Sequence, residues 1–304
     1  MIYFFMAHNH SHSSTGIRLF ITVILNILIT VAEIIGGIIS GSLALISDAL
    51  HNLSDAVSVI ISYIAIKLKG RDNSPRHTFG FKRAEILAAV INSSVLVAIS
   101  IYLIYEAVLR FQHPEPIKGA MMTFVASIGL AANIIGTLLL KRDAKTSMNI
   151  RSSYFHLLSD VVSSMAVILG GLAIILWNIY WIDPILTILI SIYITRESFK
   201  ILFEAMHVLM EGAPLDISVD EIQTAVEELD EVENIHHVHI WTVGENDVHL
   251  EAHIDVPDMM ISKSNKLGDK IENLLKSKFG INHITLQFEC EQCKDVGLVV
   301  NGKH

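Results

Sequence analysis

Along the first two thirds of the chain, apolar residues run in blocks too long and too continuous for a soluble helix or an alternating strand. Six blocks can be drawn, approximately Ile17 to Ser40, Leu43 to Leu68, Ala84 to Phe111, Gly119 to Leu140, Ser152 to Trp177 and Trp181 to Phe203. Each has about the 20 residues that a bilayer-spanning helix needs. The second is the least apolar, because it carries Asp48, His51, Asn52 and Asp55. A polar stripe on such a helix fits a bundle interior better than a lipid-facing surface. After Gly212-Ala213-Pro214 the blocks stop and soluble periodicity begins. Ser218 followed by Glu221 is a capping-box signature that opens a helix to about Leu229. His236 to Val243 and Val248 to Val256 alternate like strands around a turn at Gly244 to Asp247. Ser262 to Phe279 reads as a second helix and His283 to Phe288 as a third strand.

The expected fold class is therefore an α-helical membrane protein of six transmembrane helices, followed by a small α+β domain in the order αββαβ with its helices on one face of the sheet. Residues 1–16 form a His-containing tail, 17–212 the membrane domain and 213–304 the soluble domain. Composition agrees, with 52% hydrophobic residues among 304. The net charge of −9 arises after Ala213, where seven Lys or Arg face eighteen Asp or Glu. Such an acidic domain is unsuited to nucleic acid, whose binding wants clustered positive charge. No Gly-x-x-x-x-Gly-Lys-Ser/Thr loop occurs, so nucleotide-driven chemistry is not expected.

Short-loop charges set the orientation. Lys67, Lys69, Arg71, Arg76, Lys82 and Arg83 crowd the second loop, and Lys141, Arg142, Lys145 and Arg151 the fourth. Basic loops stay on the cytoplasmic side, so both termini are expected there, with Cys290 and Cys293 in a reducing compartment. Met1 to Met6 have neither a basic n-region nor a small-residue cleavage signal, and Met6 is an equally good start.

One pattern occurs twice inside apolar segments: His51-Asn-Leu-Ser-Asp55 and His156-Leu-Leu-Ser-Asp160. Residues four apart share a helix face, so each pattern aims an imidazole and a carboxylate the same way. Two facing pairs offer two nitrogens and two carboxylate oxygens, a set suited to tetrahedral Zn²⁺, with Cd²⁺ and Co²⁺ as neighbours in softness. Protons compete with metal for neutral imidazole, so a site exposed alternately to the two sides of a membrane couples metal and proton movement. Asp48, Glu33 and Asn133 are secondary candidates for orienting ligands or relaying protons; Glu85 and Glu106 lie nearer helix ends.

Gly41 to Asp55, the loop His77-Thr-Phe-Gly-Phe-Lys-Arg-Ala-Glu85, His156 to Asp160 and Val238-His-Ile-Trp241 together resemble the cation diffusion facilitator family, and its zinc-transporting type in particular. The resemblance implies a homodimer of six-helix protomers that exports Zn²⁺ from the cytoplasm in exchange for protons, with a ferredoxin-like cytoplasmic domain. It further implies a cytoplasmic zinc site of His236, His253, His283, Glu289, Cys290 and Cys293, with His8, His10 or His12 of the partner protomer's tail completing the cysteine part. Some members bind a second metal in the basic loop; this chain keeps His77 but has Ser74 and Phe81 at the other two ligand places. Arg83 stands where the family has a basic residue that pairs with an acid near the domain junction, here Glu211. On a regular strand, His237 and His239 face away from His236. The expected function is a proton-coupled antiporter of Zn²⁺, with brevity pointing to a bacterial plasma membrane. The alternatives are a non-transporting metal sensor and an intramembrane metalloenzyme, the latter lacking a His-Glu-x-x-His motif.

Overall fold

The computed structural model describes residues 13–69, 74–141, 148–244, 247–290 and 297–299. Its elements are α1 (Ser13–Ser40), α2 (Leu43–Lys69), α3 (Ala84–Gln112), α4 (Gly119–Leu140), α5 (Met148–Trp177), α6 (Ile182–Leu209), α7 (Val219–Glu227), β1 (Asn234–Gly244), β2 (Asp247–Asp255), α8 (Ile261–Phe279) and β3 (His283–Glu289). Packing divides the chain into two compact units, Met1–Lys67 with Ala88–Phe203 and Leu68–Leu87 with Glu204–His304. The second loop, residues 68–87, thus groups with the carboxyl-terminal unit.

The six long helices match the six apolar blocks, and α5 and α6 run several residues past the expected ends. Among the described residues, Ala84–Gln112, Gly119–Leu139 and Tyr154–Trp177 are long and apolar enough to cross a membrane, and Ile24–Ser40 is a shorter apolar stretch. The first unit reverses the usual inside-outside distribution. Glu33, Asp48, Asn52, Asn133, Asp160 and Asp183 are buried, whereas Leu28, Ile38, Ile91, Leu138, Leu169 and Leu176 are exposed. That reversal is what a hydrocarbon solvent demands. Apolar packing persists inside, where Leu45, Met122, Val125, Val167 and Ile174 form one buried cluster. α4 and α5 approach closely at Gly119 and Gly171: a Cβ on Gly119 would lie 3.0 Å from the Gly171 carbonyl oxygen. Small residues at such a crossing let two membrane helices touch through their backbones.

In the second unit β1 pairs antiparallel with β2, and β2 pairs parallel with β3. Leu250, Ala252 and Ile254 of β2 share a buried cluster with Ile222 and Val226 of α7 and with Leu267, Ile271 and Leu275 of α8. Both helices therefore cover one sheet face, and strand alternation sends His249, Glu251 and His253 to the other. Ser218 caps α7 by accepting from the Glu221 N–H at 3.4 Å. Gly280 ends α8 in the left-handed region at φ 68°, a cap that favours glycine.

Candidate metal sites

The amino-terminal end of α2 is set by a residue from another helix. A helix start leaves backbone N–H groups unpaired, and here Ser42, Leu43 and Ala44 are buried away from water. Asp183, at the start of α6, accepts from the Ser42 hydroxyl at 2.5 Å, the Leu43 N–H at 3.0 Å and the Ala44 N–H at 3.3 Å. Ser47 and Ser191 join the same two helices lower down, with their hydroxyls 3.2 Å apart. The next residue, Asp48, accepts from Ser163 at 2.5 Å and Ser164 at 3.4 Å, both on α5. These contacts fix the register of α2 against α5 and α6 just before the His-Asp pattern begins.

At that register the two patterns meet. The His156 Nε2 lies 2.8 Å from Asp55 Oδ2 and 3.7 Å from Asp160 Oδ2. The His51 Nε2 lies 3.7 Å from Asp160 Oδ1 and 3.9 Å from Asp55 Oδ2. His51, His156 and Asp160 each offer a ligand atom within 4.8 Å of the others, a separation that one metal ion can bridge. Asp160 is only 2% exposed, and neither of its oxygens has a hydrogen-bond partner among the described residues; the His51 Nε2 is in the same condition. Buried acceptors left in that state are costly unless a cation or proton joins them. Tyr193 of α6 adds a wall that the sequence did not single out, its ring 6.0 Å from that of His51.

The secondary candidates separate. Glu33 is fully buried on α1 and accepts from the Asn52 amide at 2.9 Å, beside His51. Asn133 is buried on α4. Glu106 pairs with Arg110 at 3.4 Å, near the end of its helix. Glu85 stands in the first turn of α3.

On the helix-free face of the sheet, the His236 Nε2 lies 3.4 Å from Glu289 Oε2, and the His253 Nδ1 lies 2.9 Å from Glu289 Oε1. These three residues form a second set that one ion can bridge. His236 is 1% exposed and its Nε2 has no hydrogen-bond partner among the described residues, so the donors fit a metal. His283 does not join them. The parallel register places it opposite His249 on β2, four residues from His253, or about 13 Å along a strand. Cys290 is exposed just past Glu289; Cys293, His8, His10 and His12 lie outside the described residues. A bulge between His236 and His239, with His237 at φ 52°, breaks the expected alternation. It brings the His237 ring to 4.7 Å from that of His253 and 5.0 Å from that of His239.

In the second loop His77 bridges back to Ser74, and its ring packs on Phe81 at 4.7 Å. A hydroxyl and a phenyl ring thus stand where a loop metal site needs ligands. Arg83 pairs with Glu211 at 3.1 Å.

Two family descriptions match the chain: a cation efflux transmembrane domain over residues 19–210 and a cation efflux protein cytoplasmic domain over residues 214–291. A cadmium, cobalt and zinc/H⁺-K⁺ antiporter of Bacillus velezensis is 40% identical over 93% of this chain and 92% of its own length. The zinc transporter ZitB of Pectobacterium atrosepticum is 39% identical over 95% and 91%. The metal cation efflux system protein CzcD of Cupriavidus metallidurans is 33% identical over 94% and 91%.

Proposed function

The chain belongs to the cation efflux family of integral membrane transporters, and from that premise we propose that it moves Zn²⁺ out of the cytoplasm in exchange for protons. Cd²⁺ and Co²⁺ are further substrates, as softness and the names of the relatives suggest. A transporter has no reaction to catalyse, and no enzymatic role is assigned. All six long helices span the membrane, a bacterial plasma membrane, with both termini on the cytoplasmic side. The carboxyl-terminal αββαβ unit is a ferredoxin-like domain through which two protomers pair, and its His236, His253 and Glu289 bind Zn²⁺ as a resident ion. The domain limits are those of the sequence, 17–212 and 213–304 after a short tail.

The observation that carries this reading is the meeting of the two patterns: the four His–Asp pairs of His51, Asp55, His156 and Asp160 lie 2.8 to 3.9 Å apart, His51, His156 and Asp160 are within reach of one ion, and Asp55 joins through His156. Two imidazoles and two carboxylates neutralise a divalent ion and fill a tetrahedral shell. When the same groups face the outer side, protons compete for the imidazoles and release the metal. The His51, Asp55, His156 and Asp160 side chains then carry protons back, which couples the two fluxes without a nucleotide.

The test is Zn²⁺ uptake into inside-out vesicles under an imposed pH gradient. His51→Ala, Asp55→Ala, His156→Ala and Asp160→Ala are each expected to reduce the initial rate at least about tenfold, the lower end of what losing even an outer-shell partner of a metal ligand costs. Near-normal uptake in any two of the four sinks the site.

A further inference from the structure

The helix-free sheet face carries a second group of metal-ligating side chains at the opposite end of β2 from His253. His249 is 2% exposed, yet neither of its ring nitrogens has a hydrogen-bond partner among the described residues. Its ring is bracketed by Phe79 at 5.3 Å, Trp241 at 5.6 Å and His283 at 4.6 Å. A phenyl ring would fill that space without the penalty of desolvating two nitrogens. The His249 Nε2 faces the Asp247 carboxylate at 3.6 Å, an ion-pair separation rather than a hydrogen bond. The same Asp247 oxygen is taken by the Lys82 ammonium from the second loop. Asp247 is partly exposed and His283 is exposed, so an ion reaches the group from solvent, and the His283 ring, packed on that of His249 at 4.6 Å, has to turn to bring a nitrogen into the shell.

We propose that His249, His283 and Asp247 form a second divalent-cation site in the carboxyl-terminal unit, selective for borderline ions of the Zn²⁺ type, and that Lys82 holds the cation position when metal is absent. Two neutral imidazoles and one carboxylate leave a fourth position for water, an arrangement common for zinc. Metal entry displaces the ammonium from Asp247, and with it the ion pair that helps tie the loop between α2 and α3 to the sheet, leaving the Phe79 packing on His249. A cytoplasmic rise in Zn²⁺ is thereby read at the segment that joins two helices of the membrane unit. This meaning rests on the export reading above; the binding site itself does not.

The experiment uses the full-length protein in detergent, stripped of metal, with His236→Ala and His253→Ala in the background to silence the neighbouring cluster. Zn²⁺ is titrated calorimetrically, and Co²⁺ by its visible absorption, which reports nitrogen ligation. His249→Phe keeps the ring packing and removes both nitrogens. It and His283→Ala are each expected to weaken this binding at least about tenfold. Lys82→Met, which removes the competing charge, is expected to tighten it about fivefold. Titrations of His249→Phe, His283→Ala and Lys82→Met that all match the parent overturn the proposal. If His249→Phe fails to fold, Lys82→Met decides alone, since it leaves every ligand in place. Binding is measured without a gradient, so a protein that binds here but moves no Zn²⁺ sinks the transport reading and spares this one.

Discussion

His249 and Asp247 make the strongest case for pH sensitivity outside the membrane helices. Burial holds the His249 imidazole below its ordinary pKa, with the nearby His283 and Lys82 pushing the same way against Asp247. Burial alone would raise Asp247, but the Lys82 ammonium overrides it and holds the carboxyl below the usual range. The unfolded chain then takes up a proton at His249 more readily than the folded one, so stability falls as pH drops through about 6.5. The contribution of Asp247 is present above its unfolded pKa of about 3.9 and is lost only at lower pH. Hydrogen exchange of the β2 and β3 amides in metal-stripped protein, corrected for intrinsic rates, should therefore show weaker protection at pH 5.5 than at pH 7.5. His249→Phe should flatten that difference; a flat wild-type profile would refute it. Sequence alone disclosed that the domain was rich in histidine. It did not disclose that parallel pairing of β2 with β3 sends His283 to His249 rather than to His253.

For the helices, the duplicated His-x-x-x-Asp was readable because spacing of four names a face without any knowledge of neighbours. The partners that hold those faces together were not readable. Asp183 meets Leu43 across a separation of 140 residues, and nothing local marks a carboxylate at the start of α6 as the cap of α2. Asp183→Ala leaves a hydroxyl and two backbone N–H groups unpaired in a buried setting, a loss of about 2 kcal/mol or more. The thermal midpoint in detergent should drop and Zn²⁺ flux with it, while Asp183→Asn, which keeps one acceptor oxygen, should recover part of both. Equal midpoints for wild type and Asp183→Ala would remove Asp183 from this role. The bulge at His237 escaped for a related reason: a period of two says where side chains point only until one extra residue shifts the register.

At the scale of the molecule, the split between apolar blocks and an acidic soluble stretch was visible in composition, because hydrocarbon and water select opposite surfaces. The second loop was the exception. Its basic residues marked a topological side, yet its packing belongs to the carboxyl-terminal unit, through Lys82 with Asp247 and Arg83 with Glu211. The proposed pairing of two protomers through that unit predicts that amine-reactive cross-linkers applied to native membranes trap a species of twice the protomer mass. Added Zn²⁺ should raise the yield by offsetting repulsion between two acidic surfaces. No species of twice the protomer mass at any linker length would exclude the dimer.

The junction where Asp183 grips the start of α2 limits how the buried ion can be shown first to one side and then to the other. Sliding α2 lengthwise past α6 by even half a turn would strand three buried donors at once. Tilting the two rods together about that fixed knuckle breaks none of those bonds, so rocking is the inexpensive stroke and a piston is the forbidden one.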